Sequence, residues 1–262
     1  MIFRQLFDPE TATYTYLLAD ADSQQALLID PVLEQFDRDR QLLEELGLQL
    51  CFTLETHVHA DHVTSAARCR ELLGSKVVFS STAQVAGADL ALENAASLSV
   101  GNVTVQALHT PGHTDGCVTY LCEQAGMAFT GDALLIRGCG RTDFQQGSAK
   151  ELFNSVRNTI FGIGDATRLY PGHDYQGRTV TTVAEEKQFN RRLRESIGLA
   201  EFVEIMEALN LPYPKRIDVA VSANLLCGVV AEPVSTAADT AVGDALKQVG
   251  REDAGFQFGD GI

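Results

Sequence analysis

Three short apolar runs in this chain each end at a glycine-marked turn that carries a histidine or an aspartate. They are VTVQALH before TPGHTDG, MAF before TGDALL, and TRLY before PGHDY. A fourth run, LCFTLET, leads straight into THVHADH, where three of the chain's six histidines stand beside an aspartate. Runs of this length and composition are strands. A fold that lays them side by side brings their carboxyl-terminal turns to one sheet edge, which is where an α/β protein builds a site. Four segments far apart in sequence then have to meet at one place, and few folds allow that.

The rest of the chain reads as α/β with mixed strand order. Residues 12–31 predict two strands around a polar turn, and FDRDRQLLEELGL predicts a helix that stops at Gly47. Further helices are expected near 63–73, 148–160, 181–194 and 198–210. KVVFS reads as a strand, SLSVGNVTVQALH as a hairpin turning at Gly101 and Asn102, and the stretches near 116–122 and 126–131 as two more strands. Residues 1–230 are expected to form one catalytic domain. From 231 to 262 small and acidic residues dominate, so a loosely attached tail is expected there.

Composition removes several classes of function. A net charge of −15 offers no positive footprint for a phosphate backbone, so nucleic acid is not an expected partner. No apolar stretch approaches the roughly 20 residues that cross a bilayer, so no membrane partner is expected. The start, MIFRQLFDPE, has neither a basic nor a long apolar region, which places the protein in the cytoplasm as an expectation. The six cysteines form no CxxC pair and read as reduced, mostly buried thiols.

The potential metal ligands are His57, His59, Asp61, His62, His113, Asp132 and His173. Imidazole with carboxylate suits Zn, Fe, Mn or Co, whereas a thiolate site would need clustered cysteines. His57 and His59 alternate in an extended segment and point the same way. His109, at the end of a strand, reads as a structural residue. Counted as ligands alone, the seven suffice for two metals bridged by Asp132.

THVHADH, TPGHTDG, FTGD and YPGHD together resemble the motifs of the metallo-β-lactamase superfamily. Within it, RGCGRTDFQQGSAKELF at 137–153 and YPGHDYQGRTVTTVAEEKQFNRRL at 170–193 resemble the persulfide (sulfur) dioxygenase branch. The resemblance implies a four-layer αββα sandwich and a homodimer. It implies one Fe(II) per chain held by His57, His113 and Asp132, with His59, Asp61, His62 and His173 supporting them from behind. Glutathione persulfide and O2 are the implied substrates. Arg137, Arg141 and Arg178 are then candidates to fork onto glutathione carboxylates, with Tyr175 as a hydroxyl donor and Lys215 and Arg216 as further cations. The competing reading of these arginines is that they brace loops through Asp143 or Asp174. Cys139, between Gly138 and Gly140, reads as a small residue the loop tolerates, and the two glycines as turn formers. The alternative activity is that of a binuclear thioesterase like glyoxalase II, and a more distant one is metal binding without turnover.

Overall fold

The segment TYTYLLA at 13–19 is buried along its whole length, so both faces of that strand must be covered. Alternate residues show by what. Tyr14, Tyr16 and Leu18 pack with Val105, Tyr120, Phe129 and Tyr170. Leu17 and Ala19 point the other way and pack with Phe36, Leu43 and Cys69.

The computed structural model describes residues 1–213 and 216–230; the expected tail at 231–262 and Lys215 lie outside the described residues. The first sheet holds β1 (Ile2–Asp8), β2 (Thr13–Ala19), β3 (Gln25–Ile29), β4 (Gln49–Leu54), β5 (Lys76–Ser80) and β6 (Leu90–Leu92), side by side in chain order. β1 to β3 pair antiparallel and β3 to β6 parallel. The second holds β7 (Ser97–Val100), β8 (Val103–His109), β9 (Val118–Cys122), β10 (Met127–Gly131), β11 (Arg168–Pro171) and β12 (Thr181–Thr182), also in chain order across the sheet. Its pairs are antiparallel except β10 with β11.

α1 (Phe36–Glu45) and α2 (Ala66–Leu73) cover the outer face of the first sheet. α3 (Ala149–Asn154) and α5 (Leu199–Glu207) cover the outer face of the second through Leu152, Phe202 and Met206. The layers are helix, sheet, sheet, helix, as expected. α4 (Val183–Phe189) follows β12, and α6 (Ile217–Asn224) packs Ala220 and Ala223 near Val63. Among the described residues no helix is long and apolar enough to cross a membrane, and all six cysteines are free thiols, with Cys51 the one that is not buried.

Some elements differ from expectation. β1, β6 and α6 have no counterpart in the sequence reading. The helix expected at 148–160 ends as α3 at Asn154 and continues as a π-helical turn over Ser155–Thr159. The one expected at 181–194 stops at Phe189, because Asn190 turns to extended backbone and its side chain accepts from the N–H groups of Arg192 and Leu193.

Strand direction places the site. β8 and β10 both run antiparallel to β9, and β11 runs parallel to β10, so all three end at the same edge. β3 and β4 are parallel and also end together. The two edges meet where β10 closes: Gly131 has φ +49, and a Cβ there would lie 2.5 Å from the Thr56 hydroxyl.

Phe129 is fully buried between the sheets, with its ring 4.9 Å from Tyr16 and 5.5 Å from Tyr170. Phe129→Ala should lower unfolding free energy by about 3–5 kcal/mol, measured as a lower urea midpoint with an unchanged slope.

Candidate metal centre

β4 delivers the chain to Thr56 and His57 at the sheet edge, and Asp30 follows β3 beside it. The Asp30 carboxylate accepts from Thr56 twice, from the backbone N–H at 2.7 Å and from the hydroxyl at 2.8 Å. Having given its proton to Asp30, the Thr56 hydroxyl accepts from Nδ1 of His57 at 3.0 Å. The Nε2 lone pair of His57 is therefore free.

His113 is set in the same way from the other sheet. Its Nδ1 lies 2.6 Å from the carbonyl of Arg141. A carbonyl only accepts, so Nδ1 carries a proton, and in the neutral ring Nε2 keeps its lone pair. That Nε2 lies 3.7 Å from Asp132 Oδ2. One donor atom each from His57, His113 and Asp132 lies within 4.8 Å of the others. Among the described residues Oδ1 of Asp132 is buried without a hydrogen-bond partner, which a cation would supply. Two imidazoles and a carboxylate with uncommitted acceptor atoms fit a divalent transition metal.

Around this group lies a second tier. His59, Asp61 and His173 form another set within 4.8 Å. His62 Nδ1 lies 2.9 Å from Asp61 Oδ2, which also accepts from Thr13 Oγ1 at 3.2 Å. His173 Nε2 lies 3.7 Å from both Asp61 and Asp132. His59 turns its Nε2 to Asp30 at 3.1 Å and to Glu55 at 3.4 Å. Nδ1 of His59 and Nε2 of His62 are buried without partners.

Charge follows the geometry. Burial, with the crowding of His59 and His113, holds His57 well below the usual imidazole range. Burial also works against charge on His59, but Asp30 and Glu55 outweigh it and raise that ring well above its ordinary value. Burial pushes Glu55 up to about 7. At Asp61 burial is outweighed by His62 and His173, which hold the carboxyl well below its usual range.

The sequence reading missed Asp30, Thr56, Glu55 and Asn224. Asp30 carried a usable signal, because it follows the strand ALLI just as the metal-site residues follow theirs. Asn224 carried none: from α6 it donates to the carbonyls of His59 at 2.9 Å and His62 at 2.8 Å, and accepts from the Thr64 N–H at 2.9 Å.

The candidate substrate cations among the described residues are all engaged by protein carboxylates. Arg141 forks onto Asp143 at 2.6 and 2.7 Å and reaches the Pro212 carbonyl. Arg178 bonds Asp174 at 2.8 and 3.0 Å and the Ile136 carbonyl. Arg137 is held by Glu185 and Glu186, and Arg216 by Glu34 at 2.8 Å. For Arg141 and Arg178 the bracing geometry through Asp143 and Asp174 is the one present. Tyr175 is 77% exposed. Its ring stacks beside His173 with centroids 6.1 Å apart, at the wall of a cleft of about 430 Å³ that also carries Glu10 and Asp174.

Cys139 is buried against Met206 and its thiol is pushed up to about 11 by burial, so it is a packed thiol and not a nucleophile. Gly140 does not form a turn as expected. It makes room: a Cβ there would lie 2.7 Å from the Asp132 carbonyl and 2.8 Å from His113 Nδ1. His109 is structural, bonding Ser80 Oγ and the Leu92 carbonyl through Nε2.

The sequence and the fold are similar to those of known proteins. The profile of the Metallo-beta-lactamase superfamily matches residues 8–173. The chain is 49% identical over 233 residues to the Mus musculus protein named persulfide dioxygenase ETHE1, mitochondrial, covering 89% of this chain and 91% of that one. It is 51% identical over 229 residues to the Homo sapiens protein of the same name, covering 87% and 89%. The crystal structure of ETHE1 from Myxococcus xanthus matches with a TM-score of 0.85 and 51% identity, over 87% of this chain and 100% of that one.

The role of the Thr56 hydroxyl can be tested directly. Thr56→Val keeps the shape but removes the acceptor behind His57, and should weaken metal binding by about 10- to 100-fold, measured by chelator competition. Thr56→Ser should restore it. Equal affinity in all three proteins would remove the hydroxyl from the support of His57.

Proposed function

We propose that this chain, which belongs to the metallo-β-lactamase superfamily, is a mononuclear Fe(II) persulfide dioxygenase acting on glutathione persulfide. The balanced reaction is GSSH + O2 + H2O → GSH + SO3²⁻ + 2 H⁺. The observation that carries the reading is the convergence of His57, His113 and Asp132 in a chain about half identical to proteins named for this activity.

His57 and His113 would hold the iron through Nε2 and Asp132 through its carboxylate. Three protein ligands of this kind leave coordination positions open for a substrate sulfur and O2. When bound, Fe(II) supplies the redox chemistry that joins oxygen to the outer sulfur. The protein's part is orientation. Thr56 and the Arg141 carbonyl keep both ring protons away from the metal face. His59, Asp61, His62 and His173 hold their neighbours from behind.

Glutathione as the carrier thiol is part of the proposal. With every described candidate arginine on a carboxylate, a glutathione carboxylate has to exchange with a protein one. Arg216 is the best placed, since it and Glu34 are both partly exposed and such pairs are weak. Tyr175, largely exposed, adds a hydroxyl donor beside His173. A homodimer and a cytoplasmic location complete the proposal, checked by sedimentation and by cell fractionation.

Protein loaded anaerobically with Fe(II) should hold about one iron per chain and consume O2 with glutathione persulfide. His113→Ala should lose both. Asp61→Ala should keep about one iron while activity falls about 10- to 100-fold. Two metals per wild-type chain, hydrolysis of S-lactoylglutathione and no O2 uptake would establish the binuclear thioesterase instead.

A further inference from the structure

Arg137 has φ +65, a left-handed backbone conformation that a residue with a Cβ adopts only when its surroundings impose it. Here Arg137 lies in a two-residue turn closed by reciprocal backbone hydrogen bonds between Leu135 and Gly138, and the turn faces Glu186 on α4, which is fully buried. Glu186 Oε2 accepts from the Arg137 backbone N–H at 2.9 Å, and Oε1 accepts from its guanidinium. In this turn one arginine meets the same carboxylate from both its backbone and its side chain. The carboxylate's remaining capacity is filled by Thr181 Oγ1 at 2.7 Å and Asn190 Nδ2 at 2.8 Å.

The residues that follow are pinned from the same side. Asn190 Nδ2 also donates to the Gly138 carbonyl at 3.0 Å, and Arg192 donates to the Cys139 carbonyl at 3.0 Å. The next residues touch the metal-site groups. The Gly140 N–H donates to the Asp132 carbonyl at 2.8 Å, and the Arg141 carbonyl holds His113 Nδ1 at 2.6 Å. Gly140 is packed so closely against both that the loop has no slack there. A displacement of the loop is therefore a displacement of His113 and Asp132.

A buried ion pair contributes little net stability compared with apolar packing, and Val183 of α4 is already buried in the core on that side. What the arrangement does supply is position. We propose that Glu186 is a positioning residue of the metal centre: acting through Arg137 and the backbone of 138–141, it fixes the His113 ring and Asp132 for the metal. Arg137 is then a strut rather than a substrate-binding cation. The inference rests on the reading that His57, His113 and Asp132 hold the metal.

The test uses the full chain with Co(II) as a visible-spectrum probe, and reads affinity by chelator competition alongside thermal melting of the metal-free protein. Glu186→Gln should bind Co(II) and Fe(II) about 10- to 100-fold more weakly, and its folded form should show an altered Co(II) absorption spectrum. Arg137→Lys, which keeps the charge but loses the fork, should move both readouts the same way. Glu185→Gln, which weakens the outer bonds to Arg137 and Thr181 and leaves Glu186 in place, should leave both unchanged. A folded Glu186→Gln with wild-type affinity and spectrum would overturn the proposal, even if its melting temperature fell, since that is what a merely structural role gives. If Glu186→Gln does not fold, the neutral pair Arg137→Gln with Glu186→Gln is read by the same two criteria. A wild type that binds Co(II) tightly but oxidises no persulfide would refute the dioxygenase reading and leave this one standing. Persulfide oxidation by a wild type whose metal affinity ignores Glu186 would do the reverse.

Discussion

The lone pair that His57 offers to a metal depends on Asp30, because that carboxylate takes the hydroxyl proton of Thr56 and so turns the hydroxyl oxygen into an acceptor for Nδ1. The same carboxylate accepts from the Thr56 backbone N–H and faces His59 Nε2. A buried carboxylate is costly unless hydrogen-bonded, and these contacts supply its partners at the turn where the metal motif begins. Its own backbone N–H donates to the Leu54 carbonyl at 2.9 Å, which ties it to the end of β4. Asp30 thus satisfies its own burial and sets the tautomer of His57 through one group of contacts.

The second sheet solves the same problem with a backbone carbonyl. Arg141 contributes to the centre through its peptide oxygen, while its side chain is spent on Asp143. One ring is therefore fixed by a side-chain relay and the other by the main chain of a long loop. The relay is local, since Thr56 adjoins His57 in sequence. The loop needs external support, and α4 with the turn after it provides it.

This division explains what the sequence made legible. The seven candidate ligands were readable because they fall in four short motifs that follow strands, and strand pattern with turn chemistry is local information. The strand pattern alone reached only an α/β chain of mixed strand order, and the sandwich was implied by the resemblance of the four motifs to the superfamily. The arginines were ambiguous for a chemical reason: a guanidinium fork fits a glutathione carboxylate and a protein carboxylate equally well, and Glu186 lies 49 residues from Arg137. Asn224 had no signal because one amide on a helix reveals nothing of the loop it holds. β1 was missed because its residues are mostly half-exposed, and the break after Asn154 because a π turn preserves helical spacing closely enough to pass for a longer helix.

Whether seven potential ligands serve one metal or two turns on which acceptor atoms the protein has already committed. Asp61 Oδ2 faces His62 Nδ1 at 2.9 Å and accepts from Thr13 Oγ1 at 3.2 Å, so a cation there competes with existing bonds. His59 Nε2 is spent on Asp30 at 3.1 Å, while its Nδ1 is buried without a partner among the described residues. Asp132 Oδ1, unlike Asp61 Oδ2, is buried with no partner among the described residues, and both His57 and His113 have their other nitrogen tied back. The uncommitted negative charge therefore lies at the first position. A divalent ion placed among His57, His113 and Asp132 satisfies an orphaned oxygen and breaks none of these hydrogen bonds. One placed among His59, Asp61 and His173 finds His59 Nδ1 free among the described residues but meets at Asp61 an oxygen that already serves His62 and Thr13, which favours filling first the position whose carboxylate oxygen is orphaned.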